Sequence, residues 1–377
     1  MNVVHVYKDY HPPVRGGIEQ TVERLAYHQV RSGLSVTVLT SAHGGRRTVE
    51  ELVDGVRVIR VAEWARVASA PVCPSMPWHL SRIEADIVHL HFPNPTGEVS
   101  YLLVRPRGVL AVTYHADIVR QAALLPIYGP FIEVLLRRAD VILPTSARYI
   151  EHSRWLRRYR DKCRVVPSGI DLERFDRLER SSAPAVALRA AHAGPIVLFV
   201  GRLRYYKGLD VLIDTMRQVS ATLVIVGGGP EERALRQRTR QAGLDGRVVF
   251  AGSVGDDEML AYLAAADVGV LPSTYPSEAL GLAMVEMMAC GIPVVCTELG
   301  TGTSFVNLHE ETGLVVPPRD AAALAQALNR LLGDASLRAR YGAAARRRAR
   351  DVFSGQAMAD GVAAAYADAL RRRGVSA

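Results

Sequence analysis

The sequence predicts an α/β protein of two parallel-sheet domains facing a central cleft. Three observations predict it. The first forty residues read as strand, loop, helix, strand. A second series of short apolar runs separated by helical patterns begins near residue 195. The loops that follow strands in both halves carry glycines and charges rather than hydrophobic residues. Short apolar runs alternating with helical patterns are the signature of parallel sheets with crossover helices.

Each element follows in order. "NVVHVY" is an apolar run, and "DYHPPVRGG" is a Pro/Gly loop. "IEQTVERLAYHQVRSG" places Ile18, Val22, Leu25 and Ala26 on one helical face, with Gly33 as its stop. "LSVTVLT" is the next strand, and further strands are expected at 56–61, 86–90, 109–114, 140–143 and 164–166. The stretch "RSSAPAVALRAAHAGP" loses strand periodicity and marks a boundary. The second series reads "PIVLFVG", "ATLVIVG", "RVVFAG", "DVGVLPS", "PVVCT" and "GLVVPP". The expected division is 1–182 and 183–355, with a terminal helix at 356–377 packing back on the first domain.

Composition bounds the function. Hydrophobic residues make up 49% and charged residues 22% of 377, which suits two globular cores. The four cysteines form no CxxC pair, so they read as reduced thiols. No signal-peptide pattern and no apolar stretch near the ~20 residues of a membrane span is evident, so a cytoplasmic protein is expected. The net charge of +8 is uneven: residues 1–178 hold 24 Lys and Arg against 18 Asp and Glu, the remainder 22 against 20. A basic excess suits phosphate-bearing partners or an anionic surface; an arginine-rich composition on solvated helix faces gives the same count. With 6% aromatic residues and no compact basic–aromatic motif, nucleic acid is not an expected partner.

The chemistry sits in loops after strands. Gly16-Gly17 follows the first strand and opens the first helix, where backbone N–H groups can approach a phosphate. It is neither GxGxxG nor a GKS/T loop. "GRLRYYKG", 201–208, puts Arg202 and Lys207 around a short loop before a helix, and two fixed cations can neutralise a diphosphate without a metal. No DxD pair and no His/Cys cluster of metal-ligand spacing occurs, so no metal and no cofactor is expected. "SEALGLAMVEMMACG", 277–291, holds Glu278 and Glu286. Eight helical residues would separate them by about 12 Å. Glycosidase acid/base pairs stand roughly 5–9.5 Å apart. Two anchors on one elongated ligand fit better: a sugar at Glu278, a diphosphate at the N–H groups of Ala279, Leu280 and Gly281, and a ribose at Glu286. The structural alternatives are a helix cap for Glu278 and a partnered core carboxylate for Glu286.

Together, the E-x7-E segment, the Arg–Lys loop and the Gly-Gly turn resemble retaining glycosyltransferases of family 4, with the GT-B fold, over nearly the whole chain. The resemblance implies that Arg202 and Lys207 hold the diphosphate, Glu278 the donor hexose and Glu286 the ribose, while Gly16 and Gly17 close over phosphate and sugar. It places His115, in "VTYHADIVRQ", near the donor sugar as a catalytic residue, and the backbone at Val254 beside the base. "HVYKDYHPPVRGGIEQ", "HADIVRQ" and "ELGTGTSFVN" resemble bacterial mannosyl- and rhamnosyltransferases of surface-polysaccharide assembly. That implies GDP-mannose as donor and a saccharide or lipid-linked acceptor, with His91 and Asn94 of "HLHFPNPTG" on the acceptor side. The alternatives are a UDP-sugar-dependent transferase and a nucleotide-sugar 2-epimerase on the same fold. Finally, "ARYIEHSRWLRRYRDKCR", 147–164, mixes Tyr149, Trp155, Leu156 and Tyr159 with six arginines and a lysine. It reads either as a peripheral anchor for anionic membranes or as a solvated helix with one stripe on its own domain.

Overall fold

The computed structural model describes residues 1–14, 16–118, 125–176, 178–192 and 194–374. The last part of "HADIVRQ" and Arg15 of "HPPVRGG" lie outside the described residues. The chain divides into two units: residues 1–169 with 355–377, and residues 170–354.

The first unit is built on a seven-stranded sheet. Its strands are β1 (Asn2–Val6), β2 (Ser35–Ser41), β3 (Val49–Val53), β4 (Val56–Val61), β7 (Ile87–Phe92), β8 (Val109–Tyr114) and β9 (Val141–Pro144), in the order β3-β4-β2-β1-β7-β8-β9. All pairs are parallel except β3 with β4. A small antiparallel hairpin, β5 (Ala65–Val67) and β6 (Ala70–Val72), stands apart. β3 and the hairpin were not expected. β3 is an edge strand with four of five residues exposed, "VEELV", so it lacks the alternation that reveals a half-buried strand. Residues 164–166 form no strand. They donate from Arg164 N to Ile142 O and from Val166 N to Pro144 O, which only extends the edge of β9.

The second unit carries β10 (Ile196–Val200), β11 (Thr222–Val226), β12 (Val248–Gly252), β13 (Val268–Leu271), β14 (Val294–Thr297) and β15 (Gly313–Val316), ordered β12-β11-β10-β13-β14-β15 and all parallel. Numbered within itself this is 3-2-1-4-5-6, the doubly wound order. The first unit has the same order with β3 added at its edge, and β1 and β7 stand at its centre. In such sheets the strand order reverses at one point, here between β1 and β7 and between β10 and β13. Ligands bind there, outside the carboxyl ends of the strands.

The division differs from the expected one in its first boundary. Residues 170–182 fold with the second unit because Ile170 and Phe175, 1% and 2% exposed, are part of its core. Residues from 355 onward belong to the first unit: Met358, Val362, Tyr366 and Leu370 of the helix Gly355–Arg372 pack with Val3, Ile87 and Val109 on one sheet face.

The basic segment 147–164 is not one helix. It breaks into Ala147–His152, Arg154–Arg158 and a turn at Arg160–Lys162. Ser153 is extended, and its hydroxyl accepts from Leu156 N, starting a second helix and ending the first. Tyr149, Leu156 and Tyr159 are buried in the first unit's core. That packing is the stripe on its own domain of the second reading, with Trp155 half-buried against the same core. No helix among the described residues is long and apolar enough to cross a membrane.

Candidate active site

In the second unit the site grows from the loops after β10 and β13. Lys207 closes a short turn, and its ammonium donates to Glu278 Oε2 at 2.5 Å; Ser273 Oγ donates to the same oxygen at 2.9 Å. Both members of the pair are 8% exposed. The two loops are joined by a hydrogen bond from Thr274 N to Tyr206 O at 2.8 Å. Gly208 makes that approach feasible: its φ is +66°, and a Cβ there would stand 2.0 Å from Pro272 O. Glu278 is therefore no helix cap. The helix Leu282–Ala289 begins after Gly281, at φ +80°, and Glu278 is fixed by Thr301, whose hydroxyl donates to its carbonyl at 2.7 Å. Gly302 N donates to Ala279 O at 2.7 Å and holds the same turn. Ala279, Leu280 and Gly281 thus sit at the amino end of a helix whose first amides have no ladder partner.

Glu286 lies inside that helix and is met by Arg174, whose Nη2 donates to Oε1 at 2.6 Å. The core-carboxylate alternative is realised to that extent. Arg174 is 112 residues away in sequence, so no local pattern announces it. Arg202 takes a different position from Lys207. It is exposed and lines an open depression with Gly227, Gly228, Gly229 and Ser253. Val254, the next residue, is half-buried and packs against the core, which leaves its backbone as the informative part.

In the first unit the Gly16-Gly17 turn opens the helix Gly17–Arg31, with Gly16 as its cap residue. An acid already stands over it: a Cβ on Gly16 would come within 2.2 Å of Glu19 Oε2. Burial raises the pKa of Glu19. His115 follows β8 directly, with its N–H on Phe92 O at 3.0 Å. His91 and Asn94 do not face outward. His91 is wholly buried, and its Nε2 and Nδ1 lie against His5 and His115 at 3.0 and 3.1 Å. Asn94 is 1% exposed and caps the helix Pro95–Val104, its Oδ1 accepting from Gly97 N at 3.3 Å.

Sequence reasoning missed His5 and His89. Parallel strands place alternate residues on one face. On the face that carries Val3, Ile87 and Val109, the side chains turn polar toward the carboxyl ends, becoming His5 on β1, His89 and His91 on β7, Thr113 on β8 and then His115. Burial lowers the pKa of His5 to about 4 and of His115 to about 3, and pushes His89 and His91 well down. All four rings are thus neutral at pH 7. One ring nitrogen from each of His5, His89 and His91 lies within 4.8 Å of the others, a spacing a metal could use. Every one of their six nitrogens, however, has a hydrogen-bond partner: Gln29, Tyr366, Thr113, or another of the imidazoles. The signal was present in "VVHVY" and "VHLHF", where histidines interrupt strands otherwise fit for complete burial.

Comparison with known proteins decides the family. Residues 186–348 match the family model "Glycosyl transferases group 1", and residues 15–174 match "Glycosyltransferase Family 4". O-antigen chain mannosyltransferase C of Escherichia coli is 35% identical over 99% of this chain and 100% of its own length. The chain is a glycosyltransferase of this family. D-rhamnosyltransferase WbpZ of Pseudomonas aeruginosa is 37% identical to it over 87% of the chain and 86% of its own length. Sucrose-phosphate synthase of Thermosynechococcus elongatus superposes with a TM-score of 0.81 at 25% identity, covering 98% of this glycosyltransferase and 99% of that chain. The fold is GT-B.

Proposed function

We propose that this glycosyltransferase moves mannose from GDP-mannose, with retention of configuration and without a metal ion, to a saccharide or lipid-linked acceptor of a surface polysaccharide. The observation that carries the reading is the buried Lys207–Glu278 pair at the switch point of the second sheet, beside the amino end of the helix Leu282–Ala289. A cation, a carboxylate and unsatisfied amides side by side match a sugar joined to a diphosphate: the amides and Lys207 take the phosphates, the carboxylate a sugar hydroxyl. Arg202 adds a second cation. Mannose is favoured because the full-length relative at 35% identity is described as a mannosyltransferase.

Catalysis on this reading is electrostatic. Lys207, Arg202 and the helix amides stabilise the charge that develops on the departing diphosphate. No protein carboxylate is assigned as nucleophile; the acceptor hydroxyl attacks on the face the diphosphate leaves, and a leaving phosphate oxygen takes its proton. Glu286, held by Arg174, is assigned to the ribose hydroxyls.

Calorimetric titration with GDP, UDP and dTDP, followed by transfer assays in EDTA, tests this. GDP should bind most tightly, EDTA should leave transfer intact, and the product should keep the donor's anomeric configuration by NMR. Preference for UDP would redirect the donor assignment, and loss of activity in EDTA restored by magnesium would overturn the metal-free mechanism. Conversion of the donor sugar without any acceptor would mark an epimerase.

A further inference from the structure

We propose that Gln29, His5 and His91 are positioning residues. Through one chain of hydrogen bonds they hold His115 in the tautomer whose Nε2 carries the proton and whose Nδ1 is a bare acceptor for a sugar hydroxyl. The identity of that ligand rests on the hexosyltransferase reading; the chain itself does not.

The chain is continuous. Gln29 Oε1 lies 2.7 Å from His5 Nε2. His5 Nδ1 lies 3.0 Å from His91 Nε2. His91 Nδ1 lies 3.1 Å from His115 Nε2. A carbonyl oxygen only accepts, and a neutral imidazole has one donor and one acceptor nitrogen. The first contact therefore decides all the others. His5 must carry its proton on Nε2, so its Nδ1 is bare. His91 must donate to that nitrogen from Nε2, and its own Nδ1 is then bare. His115 must donate to it from Nε2, and its Nδ1 is left without a proton.

A side branch follows from the same amide. Gln29 Nε2 donates to the Tyr366 hydroxyl at 3.4 Å. Tyr366 then gives its own proton to His89 Nδ1 at 2.5 Å, and His89 Nε2 donates to Thr113 Oγ1 at 2.6 Å. Turning the Gln29 amide over would reverse every donor and acceptor in both branches at once. One side chain, in the last turn of the helix Gly17–Arg31, thus sets the tautomer of a ring three links away.

Burial gives the chain a direction. His5, His89 and His91 are 0% exposed, whereas His115 is 5% exposed, just past the end of β8. Its Nδ1 makes no hydrogen bond among the described residues. The chain starts inside the unit and opens at the carboxyl edge of β1, β7 and β8, where a doubly wound sheet receives its ligand. A bare nitrogen there accepts from a hydroxyl, whereas the other tautomer would present a donor.

The test is a long-range proton–nitrogen spectrum of the full chain labelled with nitrogen-15 histidine, recorded without donor or acceptor. The His115 signals are assigned by their loss in His115→Asn. The wild type should show His115 as a single form with protonated Nε2. Gln29→Glu keeps an acceptor oxygen beside His5 and should preserve that form. Gln29→Leu and His91→Phe should give mixed or reversed tautomers, with kcat for transfer lower by tenfold or more and nucleoside-diphosphate affinity unchanged. Gln29 is remote from His115, so its two variants decide the matter even where His91→Phe fails to fold. A wild-type His115 protonated on Nδ1, or a tautomer unmoved in Gln29→Leu, overturns the chain. A moved tautomer with unchanged transfer overturns the role of Nδ1. Because the spectrum needs no substrate, it stands apart from any failure of the transfer reaction.

Discussion

Apart from the added edge strand β3, the two units share a strand order, and they differ in what they place at the point where it reverses. In the first, the residues are on the strands themselves, are uncharged, and are sealed: His5, His89 and His91 between β1 and β7. In the second they are on the loops beyond β10 and β13 and carry opposite charges, Lys207 and Glu278. The difference follows from what each location permits. A strand buried on both faces cannot hold a charge without several kcal/mol of desolvation cost, so its polar groups stay neutral and satisfy one another. A loop beside a helix amino end can hold a charged pair and exchange it for a ligand's charges. On the two proposals above, the first unit fixes a proton's position and the second meets an anion.

The sharpest way to break this comparison is to neutralise the charged pair in two steps. Lys207→Met leaves a buried carboxylate without its cation, and Glu278→Gln leaves a buried ammonium. Breaking such a pair from one side costs about 3–5 kcal/mol of stability. Each variant should lose most transfer, a hundredfold or more. The double variant removes both charges and should recover most of the stability, measured by urea unfolding, yet none of the transfer. Recovery of transfer together with stability would make the pair a structural ion pair and nothing more.

That experiment is needed because the sequence showed these residues without showing their partners. The fold was legible: periodicity located most strands, and the glycine- and charge-bearing loops pointed to strand ends. Lys207, Glu278, Glu286 and His115 were legible as residue types in suggestive places. What could not be read was pairing across distance. Arg174 meets Glu286 and Lys207 meets Glu278 only because the doubly wound order brings separate loops together. His5 and His89 looked like ordinary strand residues until β1 and β7 were seen as neighbours. His91 and Asn94 were placed on the acceptor side by resemblance alone; that one is a buried ring bonded to two others and the other a helix cap could not be read from the sequence.

A smaller effect sharpens the second unit's side of the comparison. Glu286→Gln keeps shape but weakens a charged hydrogen bond, so GDP affinity should fall by roughly 1–3 kcal/mol. A 2′,3′-dideoxy analogue should bind the wild type more weakly than GDP by a similar amount, yet bind Glu286→Gln with little further loss, since the removed hydroxyls already lack their partner. Arg174→Lys keeps the charge but not the planar guanidinium and should fall between. A dideoxy penalty of the same size in both proteins would detach Glu286 from the ribose and leave it as Arg174's partner alone.

The remaining effect belongs to the first unit and depends on pH. Its buried imidazoles have folded pKa values below the ordinary 6.5, to about 4 for His5 and about 3 for His115, because burial disfavours the charged ring. The sign follows from proton counting: below 6.5 the unfolded chain binds protons that the folded unit refuses, so stability is full above that value and falls as pH drops toward 4 and 3. Between pH 7 and pH 6 the unfolded chain already takes up protons that the folded unit refuses, and the loss deepens with each further unit of pH. Trp64, Trp78 and Trp155 all lie in the first unit, so tryptophan emission of the full chain reports on that unit without a contribution from the second. On acidification the emission transition should begin below pH 6.5 and precede the loss of GDP binding, whose assigned contacts are loop-borne charges and helix amides of the second unit. If emission and unfolding free energy stayed flat from pH 7 to pH 5, the imidazoles would not be held neutral, and the hydrogen-bonded chain from Gln29 to His115 would lose the one-donor, one-acceptor rings on which its polarity depends.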